Sequence, residues 1–218
     1  MVILFTDDQG TIDAGCYGAK GLKTPHIDKL AATGVRFTQA YAHTVCCPAR
    51  AALLTGRHPQ RGGVHHWTQG DMNASKGINM ALEEVTLAEA LKTAGYRTAL
   101  YGKWHLGAHR DYGPKKQGFD EFFGIRDGFI DNYNHYFLHG TGFHDLYEGT
   151  TPVEAPGEYF PELMVQRSLK FLDERIRIGL SSCMYLLTFL IIRSRRSSSM
   201  RLCTSISKIP LFALMRRL

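Results

Sequence analysis

Short apolar segments, punctuated by helix start and stop signals, constrain this chain more than any other feature of its sequence. Val2–Phe5 is a continuous apolar run, the pattern of a strand covered on both faces. Thr24-Pro25 opens a helix, with Thr24 as N-cap and Pro25 at the first position, and Gly34 closes it. Val35–Tyr41 alternates at period two and predicts a strand. Thr86 and Glu89 form a capping box for a helix reaching about Ala94, with Gly95 as its stop. Tyr96–Tyr101 predicts the next strand, and Pro161–Glu174 an amphipathic helix. Strand, helix, strand, helix, strand is the order of an α/β protein with a mainly parallel sheet flanked by helices. Ligands in such sheets bind beyond the carboxyl ends of the strands. Asp7 and Asp8 follow the first strand, and Lys103 and His105 follow the strand at Tyr96–Tyr101, so the two sets are candidates for one rim.

The segment Cys46-Cys47-Pro48-Ala49-Arg50 leads into an apolar helical run that ends at Thr55-Gly56. Pro48 suits the first helical position, where its missing N–H costs nothing. The N–H groups of that first turn favour an anion, and Arg50 adds a planar, permanently charged donor fork. Gly56 can stop the helix in a left-handed conformation. The alternative is an inert, buried cysteine pair before an ordinary core helix. Asp7 and Asp8 are hard oxygen ligands suited to Ca²⁺ or Mg²⁺. Their alternative is a turn or helix cap finished by Gly10.

Two segments together resemble the sulfatases, enzymes that cleave sulfate esters. Cys46 to Arg57 is similar to the family's Cys-x-Pro-x-Arg signature, and Gly95 to Gly107 to its Gly-Tyr-x-Thr through Gly-Lys-Trp-His signature. The resemblance implies an alkaline-phosphatase-like α/β fold. It implies that Cys46 is converted to formylglycine, the catalytic nucleophile, by a formylglycine-generating enzyme. It further implies that Asp7, Asp8 and residue 46 ligate a metal, Ca²⁺ by family habit with Mg²⁺ as the alternative. Arg50 and the metal would stabilise the nucleophile's oxyanion, Lys103 would hold a sulfate oxygen, and His105 would orient the nucleophile or the sulfate. The expected activity is sulfuric ester hydrolysis of the arylsulfatase type on a sulfate-ester substrate. The alternatives are a phosphoester or phosphonate hydrolase of the same fold, and a non-catalytic remnant. Residues 107–160 are rich in Gly, aromatic residues, His and Asp and show little periodicity; within them Asn132–Tyr136 and His139–His144 read as long loops over a pocket, with no substrate ligand assigned among them.

The formal charge of +6 invites a polyanionic partner, but its distribution does not. From Arg175 onward there are nine basic and no acidic residues, leaving 17 basic against 20 acidic before it. The body is mildly acidic, so nucleic-acid binding is not expected of it. Five cysteines (Cys16, Cys46, Cys47, Cys183, Cys203) form an odd set without paired spacing, which argues against a disulfide framework or a structural zinc site. Met1–Phe5 is too short for a signal-peptide core, whereas the family resemblance implies a periplasmic or secreted location.

Residues 1–174 are expected to be the N-terminal part of a sulfatase catalytic domain. Residues 175–218 read as an aberrant basic and apolar tail, with the texture of a shifted reading frame. Leu180–Ile192 is shorter than the roughly 20 residues needed to span a bilayer, and a membrane partner is not expected. The tail holds no Asp, Glu, Asn or His to complete a metal shell, so little sulfatase activity is expected of the 218 residues as written.

Overall fold

The computed structural model describes residues 1–66, 78–138, 142–177 and 185–191. The chain divides into two compact units, Met1–Phe5 with Ala42–Leu190, and Thr6–Tyr41 with Ile191–Leu218.

The first unit is built on a six-stranded mixed sheet. Its strands are β1 (Val2–Asp7, whose last two residues fall to the second unit), β2 (Thr98–Lys103), β3 (Glu121–Ile125), β4 (Tyr147–Glu148), β5 (Thr151–Pro152) and β6 (Tyr185–Ile191). The spatial order is β1-β6-β2-β3-β4-β5. β2 runs parallel to both β6 and β3, and β4 and β5 add an antiparallel edge. The expected α/β fold with a mainly parallel sheet is therefore present. Its helices are α2 (Cys46–Thr55), α3 (Leu87–Thr93) and α4 (Phe160–Arg177); α1 (Pro25–Thr33) belongs to the second unit.

Helical periodicity explains which faces are buried. In α2, Cys47, Ala51 and Leu54 recur one turn apart and are almost fully buried, in one cluster with Leu100, Trp104 and Phe122. In α4, Phe160, Met164 and Phe171 are buried, and the Phe171 ring packs edge-on to Tyr101 of β2 at 6.0 Å. All six residues of β2 are buried, as a strand covered on both faces requires.

The capping box of α3 forms as expected. Thr86 Oγ1 accepts from the Glu89 N–H at 3.1 Å, and Glu89 Oε2 accepts from the Thr86 N–H at 2.8 Å. Thr86 is fully buried, and its hydroxyl also donates to the Gln117 carbonyl at 2.8 Å. Thr86→Ala removes the cap and leaves a buried carbonyl unpaired, so a loss of about 2 kcal/mol is expected in urea unfolding. An unchanged midpoint would contradict this role.

Two sequence expectations are corrected. Val35–Tyr41 is not a strand: Val35 is 83%, Phe37 67% and Tyr41 90% exposed, and no ladder among the described residues includes it. Alternation signals a strand only when another strand takes up its backbone. Thr24 precedes α1, but its hydroxyl does not cap the helix. It accepts from the Gly15 N–H at 2.8 Å and donates to Asp28 Oδ1 at 3.0 Å, tying the preceding loop to the helix instead. β3, β4 and β5 also lie within residues 107–160, outside the two expected loops, and residues 139–141 of the second loop lie outside the described residues. Beyond Glu174, Tyr185–Ile191 forms β6 between β1 and β2, a strand that the sequence reading had not assigned. Cys183, Cys203 and the basic residues from Arg193 on lie outside the described residues. Among the described residues no helix is long and apolar enough to cross a membrane.

Candidate active site

Cys46 is the first residue of α2, following Val45 in extended conformation. Pro48 therefore occupies the third helical position, not the first as expected. It is still within the first turn, where no intrahelical donor is required. Gly56 closes the helix with φ 63, as expected. Of the two adjacent thiols, Cys47 is fully buried and Cys46 is only half-buried, so a modifying reagent can reach the first.

Arg50, one turn into α2, is fully buried. Its Nη1 donates to the Lys103 carbonyl at 2.9 Å, and its guanidinium lies 5.5 Å from the Phe5 ring centroid. One bond thus ties the helix carrying Cys46 to the carboxyl end of β2. Lys103, the last residue of β2, is itself buried. The ladder with the β3 side continues past the strand: Trp104 N–H donates to the Ile125 carbonyl at 2.9 Å and His105 N–H to the Arg126 carbonyl at 3.0 Å. Trp104 anchors this segment, with its indole N–H on the Tyr112 carbonyl and its ring edge-on to Phe119. His105 is 5% exposed and adopts φ 57, a left-handed conformation uncommon for a side-chain-bearing residue. Cys46, Arg50, Lys103 and His105 all belong to the first unit.

Asp7 ends β1 and is 9% exposed, while Asp8 is exposed with φ 56. Successive side chains of a regular strand point to opposite faces. The left-handed residue after β1 breaks that alternation and removes the obstacle to both carboxylates serving one cation. Two consecutive carboxylates of this kind form a donor set that fits a hard divalent ion.

Two acidic residues escaped sequence reasoning. Asp127 Oδ1 lies 3.7 Å from His105 Nε2 and accepts from the Gly128 N–H at 2.7 Å. Burial pushes its carboxyl up to about 6, opposed by that hydrogen bond and by the positive charge of Lys103. Asp145 is fully buried, accepting from the Arg126 N–H at 3.0 Å and the Asp127 N–H at 2.9 Å. A signal was available: Asp127 lies two residues past β3, as His105 lies two past β2. It becomes legible only once β3 is recognised.

Burial raises the Asp145 carboxyl to about 7, outweighing its two N–H donors. A carboxyl raised in the folded state lends stability that is complete below its ordinary value of 3.8 and is lost as pH climbs through about 7. Asp145→Asn is therefore expected to flatten the decline in unfolding free energy between about pH 4 and about pH 7. Parallel pH curves for the two proteins would exclude it.

Human arylsulfatase A is 47% identical to this chain over 128 residues, covering 57% of the chain and 25% of that protein. Mouse arylsulfatase J is 39% identical over 172 residues, covering 77% of the chain and 28% of that protein. The chain thus spans about a quarter of the length of these relatives. The crystal structure of PsFucS1 sulfatase from Pseudoalteromonas sp. matches with a TM-score of 0.78 at 25% identity, covering 99% of this chain and 51% of that one. The sheet and its helices therefore have the alkaline-phosphatase-like architecture of the sulfatases. The Sulfatase family model matches residues 1–179, and this chain therefore belongs to the sulfatase family.

Proposed function

We propose that this chain is the nucleophile-bearing part of a sulfuric ester hydrolase of the arylsulfatase type, acting at Cys46 after its conversion to formylglycine. The observation that carries the reading is the Arg50 Nη1 to Lys103 carbonyl bond, which links the Cys46 helix to the strand end bearing the Lys103-Trp104-His105 segment. The half-buried state of Cys46 beside a sealed Cys47 supports modification at the first position alone.

Formylglycine at position 46 would supply a hydrated aldehyde as an oxygen nucleophile. A divalent ion, Ca²⁺ or Mg²⁺, held by Asp7, Asp8 and the oxygen at position 46, would supply positive charge beside that oxygen. The chain's own residues do the remaining work in this reading. Lys103 places a compact ammonium against a sulfate oxygen, where charge rearranges as the ester is cleaved. His105, pinned by its backbone bond to Arg126, offers an imidazole N–H to the nucleophile or the sulfate. Arg50 adds fixed positive charge at the base of α2, and its bond to Lys103 holds the strand end in register with the helix. The positive end of the helix dipole favours the negative charge of substrate and nucleophile. We also propose an exported location, as the family resemblance implies.

The test is the mass of the tryptic peptide 37–50 from the chain produced together with a formylglycine-generating enzyme. The expected result is replacement of SH₂ by O at Cys46, with turnover of an aryl sulfate by the protein that contains the chain. An unmodified thiol would defeat the reading, and preference for a phosphate or phosphonate ester over a sulfate ester would redirect it. The division at Glu174 is proposed as well. β6 lies beyond it, so the nucleotide sequence around codon 174 is the deciding measurement. A frame that reads continuously through β6 would remove the proposed break.

A further inference from the structure

His105 is held from three sides within the first unit. Its own N–H donates to the Arg126 carbonyl, and its φ is 57. Gly128 packs against the ring: a Cβ at 128 would lie 2.9 Å from His105 Cε1 and 3.1 Å from Nε2. On the Nε2 edge stands the Asp127 carboxylate, 3.7 Å away. That is longer than a hydrogen bond but well within the range of a direct charge interaction, because the His105 and Asp127 side chains are only 6% and 10% exposed.

Asp127 is itself fixed. Its Oδ1 takes the Gly128 N–H, and its own N–H is taken by Asp145 Oδ2. Asp145 clamps two successive N–H groups of the turn, at Arg126 and Asp127, from a fully buried position. The Arg126 guanidinium points elsewhere, onto the Tyr147 ring at 3.8 Å and the Thr150 carbonyl. The turn therefore presents one negative charge to the imidazole. Lys103 at the end of β2 is the neighbouring cation, Asp145 lies behind the turn, and Arg50 of α2 donates to the Lys103 carbonyl.

We infer that Asp127 is a positioning residue for His105, its carboxylate fixing the imidazole orientation and favouring the protonated ring, with Asp145 holding the turn that presents it. This rests on the reading of His105 as a donor in sulfate-ester cleavage. Burial disfavours a carboxylate here and raises it to about 6, opposed by the Gly128 N–H and the Lys103 charge. Contacts at catalytic sites are often long without substrate and shorten when it binds, which accommodates the 3.7 Å separation.

The test is the titration of the His105 imidazole by NMR in the full 218-residue chain, assigned by comparison with His105→Gln. Asp127→Asn is expected to lower the His105 pKa by about one unit, and Asp127→Glu to restore most of it. A folded Asp127→Asn protein with an unchanged His105 midpoint would overturn the inference. The unmutated chain provides a second test that needs no substitution. If the groups are coupled, the Asp127 carboxyl carbon and the His105 ring each report the other's midpoint as a second inflection. Independent single-step curves would overturn the inference as well. The readout does not depend on sulfate chemistry. Coupling without an aldehyde at position 46 defeats the sulfatase reading alone, and an aldehyde without coupling defeats this inference alone.

Discussion

Cys46→Ala is expected to abolish labelling of the chain by an aldehyde-reactive probe, while Cys47→Ala leaves labelling intact. The two thiols are adjacent, yet their environments differ. Cys47 is sealed in the core with Ala51 and Leu54, whereas Cys46 is half-buried at the start of α2. Cys47→Ala removes one buried sulfur and should cost only about 1 kcal/mol in urea unfolding. Cys46→Ala should leave stability nearly unchanged and lower aryl-sulfate turnover by the containing protein on the order of 10³-fold or more, as loss of a nucleophile does. Labelling that survives Cys46→Ala would place the aldehyde elsewhere and remove the basis of the proposed mechanism.

Gly124→Ala is expected to be the most destabilising single-methyl change in the first unit. Gly124 of β3 stands directly opposite Gly102 of β2 in the parallel register, and both have positive φ, 153 and 129. A Cβ at 124 would lie 1.8 Å from the Gly102 carbonyl oxygen, an overlap that neither backbone can relieve without separating the strands. The expected loss is on the order of 4 kcal/mol, lowering Tm by roughly 10 °C in a chain of this size. Gly149→Ala is the control. Its φ is 61, but nothing lies within 4 Å of the added methyl, so strain alone should cost about 1 kcal/mol. Equal losses for the two variants would show that conformation, not close approach of β2 and β3, governs both sites. Separating these strands would also disturb the site, because Lys103 and Ile125 are the next pair in the register.

What could be read from the sequence was local. The N-cap and reciprocal bonds of Thr86 and Glu89, the stop at Gly56, and the apolar runs of β1 and β2 are signals carried within a few residues of where they act. The resemblance to the two sulfatase signatures added the roles proposed for Cys46, Arg50, Lys103 and His105. Their placement at the start of one helix and the end of one strand needed no knowledge of distant pairing.

Pairing between distant segments was decided only by the tertiary structure. Val35–Tyr41 alternates as a strand should, yet it remains exposed because no ladder among the described residues takes up its backbone. Tyr185–Ile191 has no alternation and becomes a strand flanked on both sides, where a continuous apolar run is the fitting pattern. The spacing that marks Asp127, two residues past β3, is legible only once β3 is known, and Asp145 carries none. Asp127 reaches His105 because β3 lies parallel to β2, carrying residues 126–128 alongside residues 104–106 beyond the strand ends, and Asp145 holds that turn through two N–H groups. Local sequence set the caps and the buried faces, because those depend on backbone neighbours a turn away. Which carboxylate faces the imidazole depended on strand register across more than twenty residues, and that is a property of the folded sheet alone.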